Sequence, residues 1–232
     1  MKKYELILFD ADGTLFDFDK AEEIALEKTF EDYNLEYKVE QHLEKYKVHN
    51  HKAWSDFEKG LTTPDKLKVE RFISFFNELQ IDLDFHKFSE TYLDELSQVT
   101  EFLPGAKNLL DSLYAKTKLV LITNGLKKVQ RRRFSKEWVN KYFAAIIISE
   151  EIGCAKPCNE IFTAAFDSVN HTNKSTAIII GDKLSSDILG GINFGIDSCW
   201  YNPNSENGDG ITKPTYTISE LSQLENLLFP EE

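Results

Sequence analysis

Two aspartates spaced two residues apart, Asp10 and Asp12, follow a short apolar run near the start of the chain. On an extended backbone, residues at this spacing point to the same side. Gly13 permits a sharp turn directly after them. One carboxylate of such a pair can attack phosphorus as a nucleophile, and the other can protonate the departing alkoxide. An Asp-rich turn that only caps a strand is the alternative for this spacing taken alone.

Three later apolar runs are also followed by residues that handle phosphate or a cation; the runs are Leu119–Ile122, Ala145–Ile148 and Ala177–Ile180. Thr123 and Asn124 offer a hydroxyl, an amide and backbone N–H groups, which suit an anion. Lys156 can neutralise a phosphoryl oxygen. Asp182 is an oxygen ligand of the kind that Mg²⁺ takes, and Asp187 can orient such a ligand. Helix capping and ordinary surface placement are the structural alternatives for these residues.

The same carboxylates also predict a bound divalent cation. Two carboxylates in one small volume raise each other's pKa, and they repel a phosphate dianion unless a cation compensates them. Mg²⁺ does this with a few carboxylate oxygens and retained waters. Asp10, Asp12 and Asp182 are therefore predicted at the metal, with Asp187 in support, because ligands bind beyond the carboxyl ends of parallel strands.

The elements that must position these residues are short apolar runs that alternate with stretches of helical periodicity. This alternation predicts an α/β fold with a parallel sheet covered by helices on both faces. A later run lies around Cys199–Tyr201, and the stretches predicted as helices are Leu126–Phe143, Asn159–Val169 and Ser186–Phe194.

One interval interrupts the alternation, between the first run and the run that begins at Leu119. It carries helical periodicity and few strand signals, so we predict a helical insertion over residues 18–99. Pro104 and Gly105 mark the return to the main domain. The predicted domains are a core of residues 1–17 and 100–232 and the inserted helical domain of residues 18–99.

Composition limits the classes of partner. The chain of 232 residues carries a formal net charge of −12, which argues against a nucleic-acid polymer or an anionic membrane surface. No stretch approaches the roughly 20 apolar residues of a membrane span. Three cysteines predict no disulfide framework and fit a reducing cytoplasm. The oligomeric state is left open between a monomer and a small homo-oligomer.

Two surface features have a structural and a functional interpretation. Trp54 and Phe57 are three residues apart and share a helix face, where they either pack under the helical domain or stack on a base. A basic run on a predicted helix indicates a solvated face. Its members are Lys127, Lys128, Arg131, Arg132 and Arg133.

Taken in order, the polar strand ends resemble the four motifs of the haloacid dehalogenase superfamily. The matching residues are Asp10-Ala11-Asp12-Gly13-Thr14-Leu15, Thr123-Asn124, Lys156-Pro157 and Gly181-Asp182 with Asp187. The resemblance implies a Rossmann-like core with a C1-type helical cap inserted after the first strand.

The resemblance also implies a role for each motif residue. Asp10 is then the nucleophile and Asp12 the general acid and base. Thr123 and Lys156 bind the phosphoryl group. Mg²⁺ is held by Asp10, the backbone carbonyl of Asp12 and Asp182, with support from Asp187.

A narrower resemblance reaches into the helical domain. The stretches Trp54–Gly60, Arg71-Phe72 and Ser149–Gly153 are similar to the YjjG-like pyrimidine 5′-nucleotidases. This similarity implies a Mg²⁺-dependent phosphomonoesterase that acts on nucleoside 5′-monophosphates through an aspartyl-phosphate.

Four other functions remain open from the sequence. They are a phosphatase or a phosphomutase for a small sugar phosphate or phosphoglycolate, a haloacid dehalogenase, and a non-catalytic binder of a phosphorylated ligand. Asp12 favours phosphate chemistry over dehalogenation, because an alkoxide needs a proton on leaving and a halide does not.

Overall fold

A single parallel sheet organises the computed structural model, which describes residues 4–229. Six strands are found in this part of the chain, in the order β3-β2-β1-β4-β5-β6. They are β1 (Leu6–Phe9), β2 (Lys118–Thr123), β3 (Ala145–Ile148), β4 (Ala177–Gly181), β5 (Asp197–Tyr201) and β6 (Tyr216–Ile218). Every neighbouring pair is parallel, so the predicted α/β sheet is confirmed.

The central strand β1 shows why these residues form a sheet of this kind. All four of its residues are buried, as expected of a parallel strand covered on both faces. Ile7 and Phe9 pack into one apolar cluster with residues of the neighbouring strands, and Leu6 and Leu8 pack into a second cluster on the opposite face. The alternation places β1 between two helical layers, with Asp10 at its carboxyl end.

The chain forms two compact units. Of the described residues, the first contains 4–18, Glu101–Lys127 and 134–229. The second contains Asp19–Thr100 together with Lys128–Arg133.

Four α-helices make up most of the second unit: α1 (Phe18–Asp32), α2 (Glu44–Glu58), α3 (Pro64–Leu79) and α4 (Phe85–Leu96). Local sequence sets the start of two of them. Thr63 accepts a hydrogen bond from the Lys66 N–H ahead of Pro64, and Asp84 accepts one from the Lys87 N–H. The core of this unit is mainly aromatic and fully buried; it includes Phe30, Tyr46, Phe72, Phe75, Phe76, Phe88 and Tyr92.

A buried polar chain crosses this aromatic core. Arg71 Nη1 donates to Asn50 Oδ1 at 2.7 Å, and Asn50 Nδ2 donates to Glu22 Oε1 at 2.5 Å. The Arg71 guanidinium also lies 5.0 Å from the centre of the Phe72 ring and 5.2 Å from that of Tyr92. Burial raises the pKa of Glu22 to about 7, although Lys47 and Arg71 oppose the shift. A carboxyl group is thus linked to a guanidinium through an amide.

Seven more α-helices follow within residues 4–229, and most of α6 belongs to the second unit. They are α5 (Ala106–Leu113), α6 (Lys127–Phe134), α7 (Glu137–Asn140), α8 (Ser149–Ile152), α9 (Asn159–Ser168), α10 (Leu189–Phe194) and α11 (Gln223–Leu228). The helix predicted over Leu126–Phe143 is divided into α6 and α7, and a π-helical turn at Leu184–Ile188 precedes α10. The short strand β6 was not predicted. Among residues 4–229, no helix has the length and apolar character that crossing a bilayer requires.

The basic run of α6 is only partly solvated. Arg133 is fully buried, and it donates to Val99 O at 3.1 Å and to Gln130 Oε1 at 2.9 Å. The prediction of a solvated face is therefore wrong for Arg133. Its guanidinium group donates to Val99, which lies far away in the sequence, and to Gln130, one helical turn before it. The other basic residues of the run are exposed.

Candidate active site

The carboxyl ends of the three central strands bring the predicted motif residues to one edge of the sheet. Asp10 follows β1, Thr123 ends β2, and Asp182 follows β4. Because β1 pairs with both β2 and β4 in parallel, these three positions are neighbours. Lys156 reaches the same edge from the loop between α8 and α9, and Asp187 reaches it from the π-helical turn before α10.

A lysine lies among three carboxylates at this edge. One oxygen each of Asp10, Asp182 and Asp187 lies within 4.8 Å of the others. Lys156 Nζ contacts Asp10 Oδ1, lies 2.7 Å from Asp187 Oδ1, and donates to Ile122 O at 3.0 Å. The lysine side chain is 1% exposed, so these contacts replace its hydration.

The electrostatics of this cluster are dominated by burial and by charges of like sign. Burial raises the pKa of Asp10, Lys156 lowers it, and Asp187 and Asp182 raise it again. Burial and Asp187 raise the pKa of Asp182 to about 6. Burial alone would lower the pKa of Lys156, but the carboxylates of Asp10 and Asp187 raise it, so this side chain is protonated.

The donor set fits Mg²⁺. Three carboxylates facing one ammonium group leave two negative charges without a matching cation, and their mutual repulsion adds to burial in raising the pKa values of Asp10 and Asp182. A divalent ion carries the missing charge, and carboxylate oxygens are the ligands that Mg²⁺ prefers. The arrangement is therefore that of a candidate metal site with an adjacent lysine.

Two glycines make room for the carboxylates. A Cβ at Gly13 would lie 2.6 Å from Asp182 Oδ2, and a Cβ at Gly181 would lie 2.3 Å from Asp187 Cγ. Asp182 is further held by Thr14, whose hydroxyl donates to its Oδ1 at 3.2 Å. Asp187 Oδ2 accepts the Lys183 N–H at 3.1 Å. These supporting contacts fix the directions in which Asp182 and Asp187 point.

Asp12 does not share the three-carboxylate cluster with its side chain. It lies in the turn after β1, where it forms an isolated β-bridge with Phe16, and its side chain is half-buried. The implied metal contact of Asp12 is made by its backbone carbonyl, so it does not require the carboxylate to enter the cluster. The acid–base role of Asp12 stays a prediction.

Thr123 and Asn124 make different contacts. Thr123 is buried, and its Oγ1 accepts the Gly125 N–H at 3.1 Å. Asn124 Oδ1 accepts the Lys156 N–H at 2.7 Å, and Asn124 Nδ2 donates to Lys156 O at 3.0 Å. Both ends of the Asn124 amide are thus engaged by the Lys156 backbone. The phosphate contact of Asn124 stays a prediction.

This holding role of Asn124 was missed because it depends on a residue 32 positions away. Thr14 was predicted only as part of a motif, and its contact with Asp182 joins residues 168 positions apart. Neither contact can be predicted from the neighbouring sequence. A small polar residue directly after a strand end suggests that the residue belongs to the site, but it does not indicate which residue it contacts.

The loop that carries Lys156 brings two cysteines together. Cys154 and Cys158 place their sulfurs side by side, with their Cα atoms 6.2 Å apart, a separation that a disulfide can span. Their sulfurs also lie within 4.8 Å of a Glu160 carboxylate oxygen. Cys199 is buried in β5 as a free thiol.

The two aromatic residues predicted as candidate substrate contacts both lie on α2. Trp54 and Phe57 are half-buried, and their rings meet edge to face with centroids 5.8 Å apart. They are not part of the fully buried aromatic core of the helical unit, and each retains exposed ring surface.

The fold and this cluster define the class of protein. The profile of the haloacid dehalogenase-like hydrolases matches residues 7–201. The chain belongs to that family, so the predicted superfamily and the predicted hydrolase class are confirmed.

Individual relatives are similar to this chain over nearly its whole length. The chain is 36% identical to pyrimidine 5′-nucleotidase YjjG of Escherichia coli (strain K12) over 227 residues, 97% of this chain and 98% of the relative. It is 31% identical over 222 residues to pyrimidine 5′-nucleotidase PynA of Streptococcus pneumoniae, covering 95% of this chain and 93% of the relative. A magnesium-bound crystal structure of the HAD-hydrolase YfnB from Bacillus subtilis superposes with a TM-score of 0.91 at 32% identity, covering 98% of this chain and all of that one.

Proposed function

We propose that this protein is a Mg²⁺-dependent phosphomonoesterase that hydrolyses pyrimidine nucleoside 5′-monophosphates through an aspartyl-phosphate on Asp10. One observation carries the proposal: a buried lysine contacts Asp10 while Asp182 and Asp187 crowd the same edge. A structural ion pair needs one carboxylate for one lysine. The additional acidic oxygens are explained by a divalent metal ion, which would also offset the negative charge of a phosphate substrate.

Asp10, the backbone carbonyl of Asp12 and Asp182 are the proposed Mg²⁺ ligands, with Asp187 as their support. When bound, the ion neutralises charge on the carboxylates and on the phosphoryl oxygens, so that the two can approach each other. Thr14 and Gly13 keep the Asp182 carboxylate in place for this role.

In the first step, an Asp10 oxygen attacks phosphorus in line with the ester oxygen. The new bond joins Asp10 to phosphorus, and the bond from phosphorus to the ester oxygen breaks. Asp12 gives its proton to the departing alkoxide, which leaves as the nucleoside hydroxyl. Lys156, already protonated and next to Asp10, stabilises negative charge on the phosphoryl oxygens.

In the second step, water attacks the phosphorus of the aspartyl-phosphate. Asp12, now ionised, accepts a proton from this water, and the bond between phosphorus and the Asp10 oxygen breaks. Inorganic phosphate leaves, Asp10 is ionised again and Asp12 is protonated again. Asp12 therefore changes protonation state twice in each turnover.

The nucleotide assignment has separate support. Two relatives that match nearly the whole chain are named pyrimidine 5′-nucleotidases. Trp54 and Phe57 offer aromatic faces of the kind on which a base stacks, and they remain predicted substrate contacts.

The decisive experiment measures phosphate release from a panel of substrates with and without excess EDTA. The panel contains UMP, dUMP, purine monophosphates, a sugar phosphate and phosphoglycolate, ranked by kcat/KM. We expect metal-dependent hydrolysis with the pyrimidine nucleotides ranked highest. A sugar phosphate ranked far above them would contradict the substrate assignment, and full activity in EDTA would contradict the metal.

A variant separates the chemistry from the fold. Asp10→Asn is expected to abolish turnover while keeping the melting temperature, and Asp82→Asn, a change at an exposed position, is expected to keep both. Rapid quenching of the wild-type enzyme with UMP should trap one phosphoryl group on the peptide that contains Asp10. Activity in Asp10→Asn, or label on another residue, would remove Asp10 from this role. Halide release from 2-chloropropionate should be absent.

A further inference from the structure

Lys156 lies midway between two cysteines. Cys154 and Cys158 are each two residues from it, and their sulfurs are adjacent, with Cα atoms 6.2 Å apart, a separation that a disulfide can span. Both side chains are half-buried, so reagents in solution can reach them. A link at this position closes a small ring of chain around the lysine that contacts Asp10.

We propose that Cys154 and Cys158 form a reversible redox link that holds the Lys156 loop in its active arrangement, and that reduction of the link weakens phosphate binding. The proposal concerns regulation of the site described above, and it rests on the proposed function of Lys156. It assigns a modification site to two residues that take no part in the phosphoryl transfer.

The other anchors of the loop are concentrated at Lys156. On one side, Gly153 ends α8 in the left-handed region, at φ +78, and a Cβ at this position would meet no atom within 4 Å. On the other side, Cys158 immediately precedes α9. Between these ends, Asn124 holds the Lys156 backbone, and the Cys158 N–H donates to Ala155 O at 2.9 Å.

Closing such a loop removes conformations that the open loop can visit. Lys156 must place its ammonium group among Asp10, Asp187 and Ile122 O from a side chain with four rotatable bonds, which is costly in entropy. The oxidised form therefore pre-organises the lysine for a phosphoryl group. In the reduced form, the Asn124 contacts are left to do this alone.

The oxidant is a small-molecule disulfide, and the exchange balances. A thiolate of the pair attacks the reagent disulfide, which forms a mixed disulfide and releases one thiolate. The second cysteine attacks the protein sulfur of that mixed disulfide and releases the other thiolate. The two protein thiols are oxidised, the reagent is reduced to two thiols, and the two protons from the cysteines end on those thiols or in solvent.

Two neighbouring features bear on this assignment. A carboxylate oxygen of Glu160 lies beside both sulfurs, within 4.8 Å of each. Two sulfurs and one carboxylate are three ligands, fewer than the four of a structural zinc site. Cys199 provides an internal contrast, because complete burial in β5 raises the pKa of its thiol to about 12 and keeps it unreactive.

The first test follows the bond itself and does not depend on activity. The intact protein is equilibrated in mixtures of oxidised and reduced dithiothreitol and then alkylated, and the peptides are analysed by mass spectrometry. Cys154 and Cys158 should lose alkylation together as the mixture becomes oxidising, while Cys199 remains a thiol. Independent modification of the two, or no oxidation in the most oxidising mixture, would overturn the proposal.

The second test measures what the bond does to Lys156. The oxidised enzyme should have a kcat/KM for UMP roughly threefold or more above that of the reduced enzyme, and phosphate should inhibit it at lower concentration. Cys158→Ser should behave as the reduced form in both mixtures, whereas Cys199→Ala should keep the redox response. Equal phosphate inhibition in the two states, or weaker inhibition after oxidation, would overturn the proposal.

A third measurement distinguishes this inference from the proposed function. Amide hydrogen exchange over residues 153–158 reports loop order whether or not the protein turns over UMP. Exchange should be slower in the oxidised protein, and equal exchange would contradict the link as a loop constraint. Absence of turnover in both redox states would contradict the phosphatase assignment instead.

Discussion

Gly13 lies so close to Asp182 that a Cβ at position 13 would be 2.6 Å from Asp182 Oδ2. The backbone of Gly13 is in the left-handed region at φ +87, where a side chain is strained in any surroundings. In the turn after the candidate nucleophile, the Gly13 backbone therefore packs directly against the Asp182 carboxylate, which follows β4. The position of this candidate metal ligand thus depends on two stretches of chain that are far apart in sequence.

Gly13→Ala should be more damaging than backbone strain alone explains. The added methyl group must displace the Asp182 carboxylate, and a misplacement of about 1 Å at a reacting centre can cost about 100-fold in rate. We expect a loss of this order in kcat/KM for UMP, together with a loss of about 1–3 kcal/mol in the free energy of unfolding.

Gly195→Ala is the matched control for this change. Gly195 has φ +83 and no heavy atom within 4 Å of a built Cβ, so it carries the strain without the clash. It should lose stability but keep its kcat/KM. Similar kinetic losses in the two variants, measured beside urea unfolding curves, would show that the contact with Asp182 is unimportant.

Asn124→Ala tests whether the amide positions Lys156. The substitution removes two hydrogen bonds to the Lys156 backbone, each with a net value of about 0.5–1.5 kcal/mol. Because Lys156 is proposed to hold the phosphoryl group, the KM for UMP and the inhibition constant of phosphate should both rise, by about 5- to 100-fold. Asn204→Ala, at an exposed position, should change neither. An unchanged phosphate inhibition constant in Asn124→Ala would rule out a positioning role.

The motif residues at the sheet edge could be predicted because parallel strands have a simple rule. Apolar runs predict the strands, and parallel strands have their carboxyl ends at one edge of the sheet. The first polar residue after each run is therefore a candidate for the site. Asp10, Thr123 and Asp182 follow this rule. Lys156 lies in a loop and Asp187 in a π-helical turn, so their roles were favoured over the structural alternatives mainly by the resemblance to a family.

The rest depends on contacts that no local pattern encodes. Arg133 was placed on a solvated face because charge is usually exposed, and its burial against Val99 O requires knowledge of the folded chain. For the same reason, the sequence did not predict that Asn124 contacts Lys156 or that Cys154 lies next to Cys158. Short elements such as β6 were missed because three residues carry little periodicity.

Magnesium should stabilise the folded protein, and Asp182→Asn should remove most of that effect. At a Mg²⁺ concentration of about 100 times its dissociation constant, binding adds about 2.7 kcal/mol, which raises the melting temperature by about 5–10 °C. Without metal, Asp182→Asn should be at least as stable as the wild type, since one of three crowded carboxylates is neutralised.

Asp82→Asn, an exposed change, serves as the control for that experiment, with ionic strength held constant by NaCl. It should show the full magnesium shift. If Asp182→Asn were stabilised by magnesium as strongly as the wild type, the ion would have to bind elsewhere on this acidic protein, and the proposed ligand set would fail.

Trp54→Ala should separate stacking on a base from packing within the helical unit. Loss of a stacking surface costs about 1–3 kcal/mol per base, so the KM for UMP should rise by about 5-fold or more. Phosphoglycolate has no base, and its KM should not change. Trp138→Ala, which removes another partly exposed tryptophan, is the control. Equal losses with UMP and phosphoglycolate would assign Trp54 to packing.

Glu22 should make the stability of the protein fall as pH rises. Burial raises its pKa in the folded state to about 7, against an ordinary value of 4.5. Below pH 4.5 the group is protonated in both states and has no effect. Between these values the unfolded chain releases the proton first, so stability is lost, and above pH 7 the loss is complete, on the order of 3 kcal/mol.

Glu22→Gln should remove this loss, because the amide keeps an oxygen that accepts from Asn50 Nδ2 and carries no charge to bury. Urea unfolding at pH 5 and pH 8 should show the variant similar to the wild type at the lower pH and more stable at the higher. Glu31→Gln, an exposed change on the same helix, should follow the wild type. A wild type more stable than Glu22→Gln at pH 8 would mean that the ionised carboxylate gains more from Arg71 and Lys47 than burial costs it.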